Sequence, residues 1–426
     1  MSILSNDYAV YLPAVNTNYA RSLTTIPNGR SLPSGITLDD LAFWKQGSKL
    51  WHHEHFLHSV GQYSVGASPN NGITWRGSHE GVLFGDSGGF QIGNGTLGGL
   101  KGLTTGMTGD AACAAWRQSP EVREWIMGYL ETYTNYAMTI DMPLWAATSV
   151  GKDSPFHKCT HEQLTQLTVE NLEYIDARRQ GRTKWLNVIQ GLDAAGMIEW
   201  WNAVKWFDCA GYAFSVESAK TTGLRGVLEP LLVMRDEGAF DKGHDWLHML
   251  GSSKVSWAVM YTAIQRGIRS SSNSKLRVSF DSSSPFQQAC IVEMHTIPPS
   301  FGLAPKGWGF TKAAAPQSHL HVGSPAPLPF SSPIADMLAL GDLNVNSYRY
   351  AANNFDQLSH LYLMNHNVWV YLTAFQEANE LTFASDRSQV PSKFALCADA
   401  IEEAFAVNDW RKFLQKEQGL LDSFKG

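Results

Sequence analysis

Cysteine is scarce in this chain. Its 426 residues include five, Cys113, Cys159, Cys209, Cys290 and Cys397, odd in number and never closely spaced. That scatter argues against a disulfide framework and against a zinc cluster built on paired cysteines. Long apolar runs are missing too: no stretch approaches the ~20 residues a membrane-spanning helix needs, so no membrane contact is expected. The opening segment, Met1-Ser2-Ile3-Leu4-Ser5-Asn6-Asp7-Tyr8, lacks the basic-then-apolar layout of a secretion signal. Reduced thiols and no visible leader make the cytoplasm the expected compartment. There is no basic excess either. Lys and Arg number 33 against 39 Asp and Glu, a formal charge of -6, so any nucleic-acid contact must come from a local basic patch. No Gly-x-Ser-x-Gly elbow accompanies Ser87 or the run Ser282-Ser283-Ser284, which argues against acyl transfer. No internal repeat is visible.

What the chain does have is apolar and aromatic. It is 44% hydrophobic and 17% charged, enough to bury one large core or two modest ones. Fifteen Trp and twenty Phe imply an aromatic core or several flat stacking surfaces, and composition does not separate the two. Short apolar runs alternate with longer amphipathic ones. Strands are expected at Tyr8–Leu12, Val82–Phe84, Ala137–Ile140, Trp185–Ile189, Ala210–Phe214, Trp246–Leu250 and Leu276–Phe280. Ser119-Pro120 reads as an N-cap with Pro at the first helical position, opening a helix to about Tyr136. Thr160-His161-Glu162-Gln163 reads as a capping box for a helix to about Arg179, and further helical patterns cover 193–206, 254–267 and 285–295. Strand and helix alternating at this spacing make βα units and a parallel sheet. Seven candidates, with room for an eighth, favour a (β/α)8 TIM barrel over an open doubly wound sheet. The barrel is expected to occupy 1–300. The Pro-, Gly- and Ser-rich stretch Gly302–Pro333 reads as an irregular excursion, and 351–380 and 393–415 as helices, so that 301–426 forms a helical extension packed beside the barrel.

Chemistry in such a barrel sits at the C-terminal ends of the strands. The residues following the apolar runs there are Asp86-Ser87-Gly88-Gly89-Phe90-Gln91, Asp141, Gln190-Gly191, Ser215 with Glu217, Gly251-Ser252 and Asp281-Ser282. Any one of these Asp or Ser residues serves equally well as a helix cap. The paired glycines of the first group are different, because they allow close backbone approach or a positive φ. No Lys or dinucleotide fingerprint follows that turn, so a nucleotide-cofactor loop is the weaker reading.

Taken in order, these residues resemble the tRNA-guanine transglycosylase (queuine tRNA-ribosyltransferase) superfamily. Asp86-Ser87-Gly88-Gly89-Phe90-Gln91 is similar to its signature, and the likeness continues through Thr139-Ile140-Asp141-Met142-Pro143, Asn187-Val188-Ile189-Gln190-Gly191 and Gly211-Tyr212-Ala213-Phe214-Ser215-Val216-Glu217. Leu250-Gly251, Gln265-Arg266-Gly267-Ile268, Ser279-Phe280-Asp281 and Met364-Asn365-His366-Asn367 complete it, over about residues 50–380. The resemblance implies a TIM barrel and a double displacement at an anomeric carbon. Asp281 is then the nucleophile and Asp86 the general acid/base. Asp141 and Gln190, with Gly191, read the base edge. Ala213, Phe214 and Ser215 contact its carbonyl, and Phe90 and Leu250 sandwich the ring, with Ser87, Gly88, Gly89 and Gln91 shaping the turn. The base must leave its stack to enter such a pocket.

The departures bear on the substrate. The tRNA enzymes hold a structural zinc with a close Cys triplet and a later His. Here His366 stands at the His position, but Asp342 to Leu361 contains no Cys, so no metal or other cofactor is expected. That element supports tRNA docking, and the chain resembles more closely the phage and bacterial branch that inserts 7-deazaguanines into DNA. The expected partners are therefore DNA, with tRNA as the alternative, and a free 7-deazaguanine base such as 7-cyano-7-deazaguanine. Whether the chain is a homodimer stays open, and for a phage-borne gene the compartment is the host cytoplasm. A tRNA enzyme without zinc, or a non-catalytic nucleic-acid-binding subunit, are the competing readings.

Other clusters carry less. Trp51-His52-His53-Glu54-His55 with His58 looks metal-binding, but reads better as a polar surface near the active-site rim. His319 and His321 lack identifiable partners, and His244 and His248, though four apart, fall in a partly strand-like pattern. Arg178-Arg179-Gln180-Gly181-Arg182-Thr183-Lys184 and Arg266-Gly267-Ile268-Arg269, with Lys275 and Arg277, are possible phosphate contacts, each singly better read as solvated surface.

Overall fold

The computed structural model of the chain describes residues 7–67, 80–100, 102–241, 243–345 and 355–425. Eight parallel strands form its centre: β1 Val10–Pro13, β2 His55–Ser59, β3 Val82–Asp86, β4 Tyr136–Met138, β5 Lys184–Ile189, β6 Gly211–Ser215, β7 Trp246–Leu250 and β8 Arg277–Ser282. They are hydrogen-bonded in the order β1-β8-β7-β6-β5-β4-β3-β2. A parallel bridge between Ala14 and Leu57 joins the two ends, with the Val15 N–H donating to Leu57 O at 2.8 Å. The fold is a (β/α)8 TIM barrel with C-terminal helices.

Side chains alternate between the two faces of each strand, and the period of two assigns them. Val10, Leu12, Phe84, Met138, Leu186, Val188, Ala213 and Trp246 fill the barrel interior. Their neighbours Tyr11, Leu83, Ala137, Trp185, Tyr212, Leu247, Val278 and Phe280 point outward into a second, larger core under the helices. The aromatic composition is thus mostly core: Trp44, Trp116, Trp200 and Trp257 are all essentially inaccessible.

The helices start where the caps predict. Thr160 and Gln163 form the reciprocal capping box of His161–Arg178, and Pro120 opens Pro120–Tyr133. Ala194–Val204 and Val255–Ser271 match the expected spans, and β1 begins two residues later than the apolar run did. The expected helix at 285–295 stops at Cys290, because Met294–Ile297 pairs antiparallel with Thr311–Ala314 as a small β9–β10 hairpin. That hairpin gives part of the irregular stretch a regular structure. Residues 393–415 divide into Ser392–Ala406 and Trp410–Lys416, and the expected 351–380 helix runs from Gln357 to Phe383, its first residues lying outside the described ones. Residues beyond 300 do not build a core of their own. Phe375 packs edge-on to Tyr11 and Phe280, and Phe405 fills the space beside Gly267.

Short helices such as Thr17–Ser22 and Gly109–Arg117 were not anticipated, nor were two elements that bear more on the reading above. Helix Ala219–Asp236 contains Gly223 at φ +59° and Pro230, which hide its pattern. Strand β2 lies in the histidine tract, and this corrects the reading of that tract as a polar rim. His53, His55 and His58 are 2%, 6% and 0% exposed, and burial lowers all three below the usual imidazole range, His53 and His58 to about 4. His53 bonds Tyr11 O at 2.7 Å and His58 bonds Val15 O at 2.7 Å, so these side chains tie the histidine tract to β1 and the turn after it.

The candidate active site

The same period of two builds a site. Two residues beyond the inward Phe84, Val188, Ala213, His248 and Ser279 lie Asp86, Gln190, Ser215, Leu250 and Asp281. These five, with Gly89, Phe90 and Asp141, line one cleft of about 310 Å³ at the C-terminal mouth, a volume at the lower end for small-molecule sites. Its floor is Leu57, Met138 and Val188, the top of the interior core. Phe90 is 66% exposed at the rim and lies 5.7 Å from Trp145, centroid to centroid.

The Gly-rich turn has a steric cause. Gly88 sits at φ +81°, and a Cβ on it would meet Gly61 Cα at 2.9 Å; a Cβ on Gly89 would stand 3.2 Å from Asp141 Oδ1. The turn thus brings the Asp86 and Asp141 segments against each other. Ser87 is buried beneath the turn, and Gln91 points toward Gly61 instead of the cleft. Gly191 packs on Met197, while Ala213 lies in the interior core and Phe214 in the outer one, so these three support the wall without lining it.

Four carboxylates and no Lys or Arg line the cleft: Asp86, Asp141, Glu217 and Asp281. Burial pushes the Asp86 carboxyl above its ordinary range and the Asp281 charge adds to this, while hydrogen bonds from the Ser59 hydroxyl and the Gly88 N–H pull it back. Asp141 is pushed up to about 7 by burial and then by Asp86, against the bond from Gln190. Asp141 thus exchanges its proton near neutrality, and the upward push on Asp86 favours its acid form, which suits acid–base work. Glu217 is drawn outward to Lys220, 2.6 Å away.

Gln190 is fully engaged. Its Nε2 donates to Asp141 Oδ2 at 2.8 Å and to Met142 O at 3.0 Å, and its Oε1 accepts from the Leu144 N–H at 2.9 Å. In this state it holds Asp141. Asp281 accepts from the Gly251 N–H at 3.2 Å, and His248 Nε2 lies 3.3 Å from the same oxygen, Oδ1. His248 was missed as a site residue because its i, i+4 partner His244 drew attention to metals. The signal that finds it is its inward parity two residues before Leu250. Leu57, Met138, Trp145 and Val188 were missed because apolar residues carry no chemical mark in sequence.

The basic stretches sit elsewhere. Lys184 and Arg277 begin their strands, at the end of the barrel opposite the cleft. Arg179 pairs with Asp176 at 2.7 Å, Arg266 with Glu402 at 2.7 Å, and Arg269 donates to Leu276 O. They do not face the mouth. His366 is buried against Phe330, with Nε2 3.2 Å from Thr296 O. Among the described residues no group of three or more His, Cys, Asp or Glu is arranged to hold a metal, and no helix is long and apolar enough to cross a membrane. Comparison of the chain with protein-family models and with curated proteins finds no match.

Proposed function

We propose that the chain is a base-exchange transglycosylase that replaces guanine in DNA by a free 7-deazaguanine through a covalent glycosyl intermediate on Asp281. The observation that carries this reading is the pairing of Asp86 and Asp281 in one cleft that has four carboxylates and no lining cation. A site so charged repels phosphate groups and favours positive charge developing at a sugar carbon and N–H donors on a base. Guanine supplies such donors at N1 and its amino group, facing Asp141. The aromatic and apolar rim of Phe90, Trp145 and Leu250 suits a flat ring.

The steps balance as two displacements. An Asp281 oxygen bonds C1′ as the C1′–N9 bond breaks, and the departing guanine takes a proton from Asp86. The incoming base then gives its N9 proton to Asp86 and attacks C1′, which releases the Asp281 carboxylate. The sugar keeps its configuration.

The phosphates need a place outside this cleft. A second cavity of about 600 Å³ shares Gly251 with it and is lined by Ser252, Lys254, Ser282, Lys306 and Tyr371. It lies beside the loops after β7 and β8, where TIM barrels commonly hold phosphate. Neither lysine makes an ion pair among the described residues. DNA is favoured over tRNA because the stretch before His366 has no Cys triplet to build the zinc element that supports tRNA docking.

The test is incorporation of radiolabelled 7-cyano-7-deazaguanine or guanine into polymer. Label in DNA and none in tRNA is expected. Label in tRNA alone would reverse the substrate assignment, and label in neither would remove the enzyme reading.

A further inference from the structure

One pair of buried polar residues has no place in a barrel core unless it serves the site. His248 and Ser279 are both 0% exposed and stand opposite each other in the β7–β8 ladder, their side chains directed inward among Trp246, Phe84 and other apolar groups. Burying an imidazole and a hydroxyl is costly without partners. Their partners form a line. Trp246 Nε1 lies 2.7 Å from Ser279 Oγ, Ser279 Oγ lies 2.8 Å from His248 Nδ1, and His248 Nε2 lies 3.3 Å from Asp281 Oδ1.

The directions of the protons follow from the chemistry of the first member. An indole N–H only donates, so Ser279 Oγ accepts from Trp246. Ser279 Oγ has a second lone pair, but among the hydrogen bonds of the described residues His248 Nδ1 is the one acceptor its hydroxyl hydrogen meets. Nδ1 is therefore the bare nitrogen and Nε2 carries the hydrogen. That hydrogen faces Asp281 Oδ1, 3.3 Å away, and Nε2 completes no hydrogen bond in this state. The contact falls short of hydrogen-bond geometry, and catalytic contacts of this kind often align only when substrate binds.

We infer that the Trp246–Ser279–His248 line positions Asp281 for attack by holding its Oδ1. The Gly251 N–H donates to that same oxygen at 3.2 Å. With Oδ1 held from two sides, Oδ2 is the oxygen left to bond C1′. When the glycosyl ester later breaks, the charge returning to the carboxylate meets two fixed donors. His248 is thus a positioning residue that acts through Asp281. This role rests on the base-exchange reading, while the relay that fixes its ring does not.

Two measurements separate those claims. In protein with 15N-labelled histidine, the NMR of the His248 ring should show hydrogen on Nε2 and a bare Nδ1, with the preference weakened in Ser279→Ala. A ring protonated on Nδ1 alone would overturn the inference, whether or not the enzyme turns over. In base exchange on DNA, His248→Phe should lower kcat about 10²-fold, the scale of one lost preorganised donor, with KM little changed. His248→Gln, which keeps a donor near Nε2, should recover most of that loss. Equal losses in both variants would overturn the positioning role. If the wild type exchanges no base, the functional reading fails with it, and the ring spectrum still decides the relay.

Discussion

The two ends of this barrel use the same interior positions for opposite purposes. At the N-terminal end the inward residues satisfy one another. Arg277 lies 5.0 Å above the Trp246 ring with its Nη1 3.2 Å from His55 Nε2, and Phe84 stacks on Tyr136 at 4.7 Å with Trp246 beside both. At the C-terminal end, Asp86 and Asp281 on two of the same strands, with Asp141 and Glu217 just past the ends of two others, face a cleft with no lining cation. One end is a plug and the other a site. The difference shows that a titratable side chain inside a barrel marks function only where its neighbours leave it dissatisfied.

The two ends also respond to pH with opposite signs. Burial holds His53 and His55 below their ordinary range, so the unfolded chain binds protons more tightly than the fold does. That stability is present at neutral pH and is lost as pH falls below the unfolded value of about 6.5. Asp141 is raised to about 7, so the fold binds its proton more tightly than the unfolded chain. Its proton supports the fold below about pH 4, and that support is lost as pH rises to about 7.

Breaking the site end should cost activity and little stability. Asp281→Asn is expected to reduce base exchange by about 10⁴-fold or more, the scale of removing a covalent nucleophile, with an unchanged or higher melting temperature by calorimetry. Breaking the plug should do the reverse. Phe84→Ala is expected to cost about 3–5 kcal/mol, the usual range for a truncated buried Phe, read from the urea midpoint, with exchange retained at low temperature. An Asp281→Asn variant that unfolds, or a Phe84→Ala variant that stays stable but inactive, would break the comparison.

Asp141→Asn sharpens it. Free-base affinity should fall about 10²-fold, as for a lost hydrogen-bonding partner in a polar pocket, and wild-type affinity should weaken as pH drops below about 7. The same variant should melt a few degrees higher than wild type at pH 8 and show no such gain at pH 4. A melting gain at both values would mean that charge on Asp141 is not the cause. The smallest effect is expected in the second cavity. Lys254→Gln or Lys306→Gln should weaken DNA binding several-fold and reduce the salt slope by about one each, while leaving free-base affinity intact. An unchanged slope would move the phosphates elsewhere.

Much of this was legible in sequence because strand ends announce themselves. Asp86, Asp141, Gln190, Ser215 and Asp281 each follow an apolar run, and the structure gathers them in one cleft. The local rule failed where a residue type pointed to the wrong chemistry. The histidines at 53, 55 and 58 looked like surface polarity or a metal tract, yet backbone carbonyls of β1 and its following turn satisfy two of them inside the fold. Gly223 and Pro230 hid a helix that tertiary packing enforces. The line from Trp246 to Asp281 was invisible because it joins two strands whose paired residues lie 31 positions apart, and only register puts His248 opposite Ser279.

The most direct test of the central claim is to quench the protein with guanine-containing DNA under denaturing conditions and map the covalent adduct by peptide mass spectrometry. The account predicts a glycosyl ester on Asp281 that chases away when 7-deazaguanine is added. An adduct on Asp86 or any other residue, or base exchange proceeding with no adduct at all, would contradict it.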